Sequence, residues 1–408
     1  MGLLPKLNNS WVLALGGTLG DTGNAIAITP EGNIVVTGTT SFGAGGQDVL
    51  VAQYYANGTF AWAKTLGGVN DDAGNALALS PEGTIVVAGY TQSFGAGSYD
   101  VLLAQYYPNG TFAWAQTLGG ISGDVGLSLA IAPDGCLLLT GLIISFGAGN
   151  EDVLLAKFQS DGSLTWAQTL GGTLYDRGYS LVIAPDGSLA LTGYTNSFGA
   201  GSFDVLLAKF QTSGTFAWAK ILGGTNNDGG LGVVLSPEGN IVITGYTYSF
   251  GAGADDVLVA QYYSNGTFAW AKTLGGTQGD CGYVLTLSPE GSIIVTGQTY
   301  SFGTGNLNGQ VLVAQLNTTG GLSFNHSFLL QSIPSIQDQS WSPTLSTITT
   351  LVSLSSCPGI IYQSWTSVST SNIHPSVTLL YPDPSATPSA SLTPSHRGSP
   401  ARRRLEVY

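Results

Sequence analysis

Apolar positions along the chain fall into short runs of two kinds, and neither has a helical period. Thr111–Gln116 (TFAWAQ) alternates, as a strand with one covered face does, whereas Thr84–Ala88 (TIVVA) is β-branched and unbroken, as a strand buried on both faces does. Asn75–Ser80 (NALALS) and Asp100–Tyr106 (DVLLAQY) complete a set of four predicted strands. Pro81, Glu82 and Gly83 close the first turn, and Ser93–Gly97 (SFGAG) is a glycine-rich loop between the second and third strands. Asn109 and Gly110 form the third turn, and that dipeptide predicts a two-residue type I′ hairpin. Four strands and three turns fill this unit, and no stretch is left for a helix.

The unit recurs. Leu-Gly-Gly begins at Leu15, Leu66, Leu118, Leu170, Leu222 and Leu274, a step of 51 residues and then of 52. The turn glycines Gly32, Gly83, Gly135, Gly187, Gly239 and Gly291 keep the same step. A period near 50 residues made only of strands points to the blades of a propeller rather than to a helical solenoid. The signature Trp62–Gly68, Asp72–Gly74, Pro81–Gly83, Val87–Gly89 and Asp100–Ala104 resembles the seven-bladed β-propeller repeat (SBBP-type) family, over residues 11 to about 316. That resemblance implies a propeller, often in secreted or surface proteins, and implies no activity.

The fold expected is therefore all-β: a β-propeller of four-stranded antiparallel blades. Trp11–Leu15 matches a fourth strand that lacks its first three, as a ring closed by its N-terminus requires. Leu322–Phe328 reads as a worn fourth strand of the sixth repeat, so the N-terminal strand is assigned to a seventh, degenerate blade. Its other strands are read at Leu351–Leu354, at Ile360–Gln363 and at Ser376–Pro384, with a turn at Ser356–Gly359. The propeller then spans 1–386, with the closing strand at 10–15, six clear repeats over 15–330 and the degenerate blade over 346–386. A six-bladed ring is the alternative. Residues 387–408, rich in serine, proline and arginine, bury too little apolar surface to offset ordering entropy and read as a disordered tail.

Charge narrows the function. A formal charge of −13 repels phosphate backbones, which argues against nucleic-acid binding. No apolar run approaches the roughly 18 residues of a membrane span, and the first residues lack the apolar stretch of a signal peptide. The resemblance favours an extracellular or cell-surface protein, and a monomer is expected. Cys136, Cys281 and Cys357 are too scattered for a disulfide framework. The sequons at Asn8, Asn57, Asn109, Asn265, Asn317 and Asn325 gain meaning only on a glycosylated route, since hairpin chemistry accounts for Asn57, Asn109 and Asn265.

Acidic residues repeat as rings. Asp21, Asp72, Asp124, Asp176, Asp228 and Asp280 open Asp-X-Gly, each four residues after the last glycine of Leu-Gly-Gly; Asp48, Asp100, Asp152, Asp204 and Asp256 open the third strands. Strand alternation puts both rings on the face that carries the loop phenylalanines Phe42, Phe94, Phe146, Phe198, Phe250 and Phe302. The turn acids Glu31, Glu82, Asp134, Asp186, Glu238 and Glu290 fall on the opposite face. Sixfold repetition favours carboxylates that accept backbone N–H groups in tight turns. Calcium at Asp71, Asp72, Asp255 and Asp256 is the sharper alternative, although no EF-hand loop is present. The phenylalanines and the repeated tryptophans Trp62, Trp114, Trp166, Trp218 and Trp270 are expected to pack between blades, with a ligand platform as the other use.

Residues 11–316, which carry the repeated pattern, hold no histidine, so no Ser-His-Asp or Cys-His pair arises there. No blade shows a singular polar pair, and Arg177 is the one charged X of Asp-X-Gly. The expectation is a non-catalytic scaffold, without cofactor unless calcium binds, that takes a protein or glycan through the aspartate and phenylalanine face. A hydrolase or lyase at the channel mouth is the alternative; it needs one blade that differs from the rest.

Overall fold

The structure is a computed structural model. It describes residues 15–16, 20–43, 45–302 and 309–321, together with the backbone of short strands at 329–332, 339–341, 344–347 and 361–365. Trp11 and the rest of the closing strand before Leu15, the fourth strand read at 322–328, and the calls at 351–359 and 376–408 lie outside these residues.

The β-propeller expectation holds. Each repeat folds as an antiparallel sheet in sequence order; in blade 2 the strands are Asp72–Leu79, Ile85–Thr91, Asp100–Tyr106 and Phe112–Leu118. The first strand of each blade packs against the first strand of the next, from Thr22–Ile28 of blade 1 to Asp280–Leu287 of blade 6, so first strands line the axis and fourth strands the rim. Five blades contribute four such strands; the sixth contributes three among the described residues, Asp280–Leu287, Ile293–Thr299 and Gln310–Leu316.

The core lies between sheets. One apolar cluster joins Val86 and Leu103 of blade 2 to Leu139 and Phe158 of blade 3, and each neighbouring pair of blades has its counterpart. This is why the second and third strands read as continuous apolar runs: both their faces are covered. Tryptophan adds a stitch at the rim. The Trp114 ring of blade 2 lies against Gly162 of blade 3, where a Cβ would come within 2.9 Å of it, and Trp62, Trp166, Trp218 and Trp270 meet Gly110, Gly214, Gly266 and Gly320 in the same way.

The third turn differs from the expected type I′ hairpin. Gly110 N–H donates to Tyr107 C=O, which puts Pro108 and Asn109 at the centre of the turn and Gly110 after it, at φ +78°. Proline cannot take the positive φ that a type I′ turn needs, so a type I turn followed by a left-handed glycine closes the hairpin.

The two ends of the row of blades are open. Ile26 and Ile28 of blade 1 are 68% and 69% exposed, and Val311 and Val313 of blade 6 are 81% and 68% exposed, as faces awaiting a further blade would be. Leu15 sits against blade 1, lining with Ile26, Val36 and Leu50 a cleft of about 350 Å³. Chain from beyond the sixth repeat adds fifth strands along the rim. Leu329–Ser332 pairs with blade 5, Gln339–Trp341 with blade 4 and Thr344–Thr347 with blade 3. Ile361–Trp365, which overlaps the strand read at 360–363, pairs antiparallel with the outer strand of blade 1.

The stitch separates two costs of a methyl group. Gly239 and Gly162 both have positive φ, but a Cβ at Gly239 meets nothing within 4 Å. Gly239→Ala should cost about 1–2 kcal/mol of stability, the left-handed penalty alone. Gly162→Ala should cost at least about 1 kcal/mol more, because the Trp114 ring must move. Urea unfolding of the two variants checks this, and equal midpoints would remove the stitch as a stabilising contact.

Candidate functional site

The loop face is built on the first aspartate ring. Asp124 is fully buried at the start of an inner strand. Its Oδ2 accepts Gly120 N–H at 2.9 Å and Ser145 Oγ–H at 2.6 Å, and its Oδ1 accepts the N–H groups of Ile144 and Ser145. One carboxylate therefore ties the interblade loop to the loop after the second strand. Asp72, Asp176, Asp228 and Asp280 repeat this with Gly68, Gly172, Gly224 and Gly276 and with Ser93, Ser197, Ser249 and Ser301. Asp21 accepts Thr40 Oγ1–H and Ser41 N–H. The same aspartates reach back one blade through the backbone: Asp124 N–H donates to Tyr99 C=O, and Asp228 N–H to Phe203 C=O.

The second ring meets the first across each interblade seam. A Cβ at Gly171 would lie 2.0 Å from Asp152 Oδ1 of blade 3 and 2.8 Å from Asp176 Oδ2 of blade 4, so two carboxyls converge above the first glycine of Leu-Gly-Gly. Asp48 with Asp72, Asp100 with Asp124, Asp204 with Asp228 and Asp256 with Asp280 meet likewise over Gly67, Gly119, Gly223 and Gly275. Only glycine leaves room there. Asp204 Oδ2 accepts Gly201 N–H, while its buried Oδ1 accepts no hydrogen bond. Burial, with the facing carboxylate adding to it, pushes the carboxyls of Asp152, Asp204 and Asp256 up to about 6.

The other predicted positions are placed as follows. Phe42, Phe94, Phe146, Phe198, Phe250 and Phe302 are all half-buried. Phe94, Phe146, Phe198, Phe250 and Phe302 each lie over the second glycine of the Leu-Gly-Gly that leads into their blade, and Phe146 and Phe198 join the interblade clusters. Asp71 accepts Gln47 N–H while the adjacent Asp72 turns inward to Gly68 and Ser93. Asp255 is half-buried beside Gly279, with Asp256 accepting Ala252 N–H. Among the described residues no three His, Cys, Asp or Glu side chains converge.

Two features escape a reading of repeats. Between the fixed Leu-Gly-Gly and Asp, the interblade loops present exposed apolar side chains: Val69 at 75%, Ile121 at 87% and Leu174 at 42%. Their signal was the variability of these positions between otherwise near-identical repeats. Second, blade 4 does differ. Arg177 donates to both oxygens of Glu151 in blade 3 and stacks 5.7 Å from the centroid of Tyr194. At Cys281, the equivalent residue of blade 6, burial and then Asp255 push the thiol up to about 12, which disfavours its thiolate.

Residues 29–60 and 81–112 match a family model described as a domain of unknown function (DUF5122) beta-propeller. The chain is 26% identical over 163 residues to the regulatory protein FlaEY of Caulobacter vibrioides, covering 34% of this chain and 17% of that protein. It is 21% identical to an uncharacterized WD repeat-containing protein, L264, of Acanthamoeba polyphaga mimivirus, over 59% of this chain and 25% of that protein. The chain thus spans a quarter or less of the curated relatives it matches. Among solved structures, the α-L-arabinofuranosidase Arb93A from Fusarium graminearum is similar at a TM-score of 0.44 and 13% identity, over 72% of this chain and 91% of that one. A putative gluconolactonase is similar at a TM-score of 0.29 and 14% identity, over 61% and 80%. The expectation that the protein is no enzyme is corrected: an arabinofuranosidase and a putative gluconolactonase stand among its distant structural neighbours, and enzymatic status is open.

Two measurements follow from the carboxyl pairs. In the folded protein Asp152, Asp204 and Asp256 keep protons that the unfolded chain has released above its ordinary carboxylate range. Their contribution to stability is therefore full below that range, declines as pH rises, and is gone above about pH 6. Melting temperature should be higher at about pH 5 than at about pH 8, and Asp204→Asn, which imitates the protonated form, should raise the pH 8 value by several degrees and shrink the difference. A difference unaltered by Asp204→Asn would exclude that pair as the cause. Because the ring carboxylates already accept N–H and O–H donors, melts in excess calcium and in chelator should coincide; a shift of many degrees would make the rings metal sites.

Proposed function

We propose that the protein is a binding scaffold that takes a protein or glycan partner on the loop face carrying the aspartate rings and the phenylalanine loops. The observation that supports this most is the contrast within that face. Buried carboxylates fix each loop to the sheet, and the fixed loops hold exposed apolar residues such as Val69 and Ile121 at their tips. Exposed apolar groups on a rigid frame lose little entropy on binding, which is how a preorganised surface gains affinity. Several blades offering related tips would add avidity.

Location on the cell surface or outside the cell fits such a role and accords with the resemblance to SBBP-type repeats. The test is binding of the purified chain to protein and glycan arrays. Val69→Ser with Ile121→Ser on the loop face should weaken any binding at least about tenfold, while Glu82→Lys on the opposite face should leave it unchanged. Loss of binding in Glu82→Lys with retention in the loop variants would assign the function to the other face.

A further inference from the structure

The sixfold pattern breaks where the inner strands meet the loop face. The X of Asp-X-Gly pairs across the sheet with the residue after the glycine of the second strand. In blades 1 to 3 these pairs are Thr22 with Thr39, Ala73 with Tyr90 and Val125 with Leu142. In blades 4 to 6 they are Arg177 with Tyr194, Gly229 with Tyr246 and Cys281 with Gln298. Phenols thus stand at this place in blades 2, 4 and 5, and in blades 4 to 6 further tyrosines gather beside it.

The phenols of blades 4 to 6 gather on one side of the ring. Tyr179 and Tyr194 of blade 4 are 5.6 Å apart between ring centroids, and Phe203 meets Tyr194 edge-to-face at 4.7 Å. Tyr246 of blade 5 lies within electrostatic reach of Tyr179 on one side and of Cys281 in blade 6 on the other. Tyr248 stands 6.1 Å from Tyr246. Blade 6 adds Tyr283, whose O–H donates to Gln298 Oε1, and Gln298 Nε2 donates to the Tyr300 oxygen. Gly229 sets the ring of Tyr246: a Cβ there would lie 2.7 Å from Tyr246 Cε1, so the phenol rests directly on the backbone. Tyr248, Tyr283 and Tyr300 are 45%, 47% and 46% exposed.

We propose that this tyrosine cluster is a platform for an uncharged saccharide chain, an inference that rests on the scaffold reading above and names its ligand class. Phenol rings suit the C–H faces of sugars, because one side of each is apolar while the hydroxyl rim is wet. Beside Tyr248 a cleft of about 480 Å³, lined by Asn226, Asn227, Thr225 and Ser202, supplies amides and hydroxyls to sugar hydroxyl groups. Charge selects a neutral ligand. Glu151 neutralises Arg177, the one cation in the cluster, at 2.9 Å between Nη2 and Oε1. Asp255 stands near Tyr248, Tyr283 and Cys281, and the whole chain carries −13, so phosphate, sulfate and uronate groups are repelled.

The experiment is native affinity electrophoresis of the full chain in gels containing a soluble β-glucan, a xylan, a mannan or, as the anionic comparison, an alginate. At least one neutral polysaccharide should retard the protein, and alginate should not. Tyr248→Ala with Tyr283→Ala, both largely exposed, should weaken that retardation at least about tenfold with an unchanged melting temperature. Tyr90→Ala, on the same face of blade 2, should leave it intact. Retardation that survives in the tyrosine variants but falls in Val69→Ser with Ile121→Ser would overturn the tyrosine platform and leave the scaffold reading standing. Retardation by alginate alone would overturn the charge argument. If no polysaccharide retards the protein, the saccharide is excluded, and the protein arrays alone decide the scaffold reading.

Discussion

Blades 2 to 6 each depend on one buried carboxylate at the head of the inner strand. Burial takes it away from solvent donors, so each of these aspartates must find its donors in the protein, and it finds them in two separate loops. That requirement makes the loops rigid and joins each blade to the last, since the same residue's N–H reaches the preceding blade's backbone. Leu-Gly-Gly follows from it. A side chain at the first glycine would occupy the space in which the two aspartates meet, and one at the second would collide with the loop serine and phenylalanine.

The seam stores a conflict as well. Burial, and after it the facing carboxylate, disfavours a second negative charge there, so Asp152, Asp204 and Asp256 hold protons above the ordinary carboxylate range. The apolar clusters on either side hold the blades together against that cost. The arrangement recurs at each seam between described blades, so acidity acts on the ring as a whole rather than at one point.

Such a frame separates stability from recognition. Core strands, tie aspartates and turn glycines are fixed by packing and by backbone hydrogen bonds, which leaves the residues between Leu-Gly-Gly and Asp, and the X of Asp-X-Gly, free to differ. Those are the positions where Val69 and Ile121 reach solvent and where Arg177 finds Glu151. The blades are alike where the ring needs them to be, and unlike where packing leaves them free.

Alternation, unbroken β-branched runs and the fixed step were enough to specify strands, blades and the face on which each ring lies, because these depend on local periodicity and chain direction. The carboxylates' task as turn acceptors was legible from Asp-X-Gly itself. The partnership of Asp152 with Asp176 was not, since it joins neighbouring blades, and neither was the turn at Pro108, where proline's fixed φ overrules the Asn-Gly signal. The strand read at Ile360–Gln363 within the degenerate blade overlaps Ile361–Trp365, which pairs with the rim of blade 1, because strand character does not reveal which edge a strand joins. The tyrosine cluster escaped for the same reason. Its members lie on three blades, more than 100 residues apart from Tyr179 to Tyr300, and only the convergence of inner strands on one axis makes them neighbours.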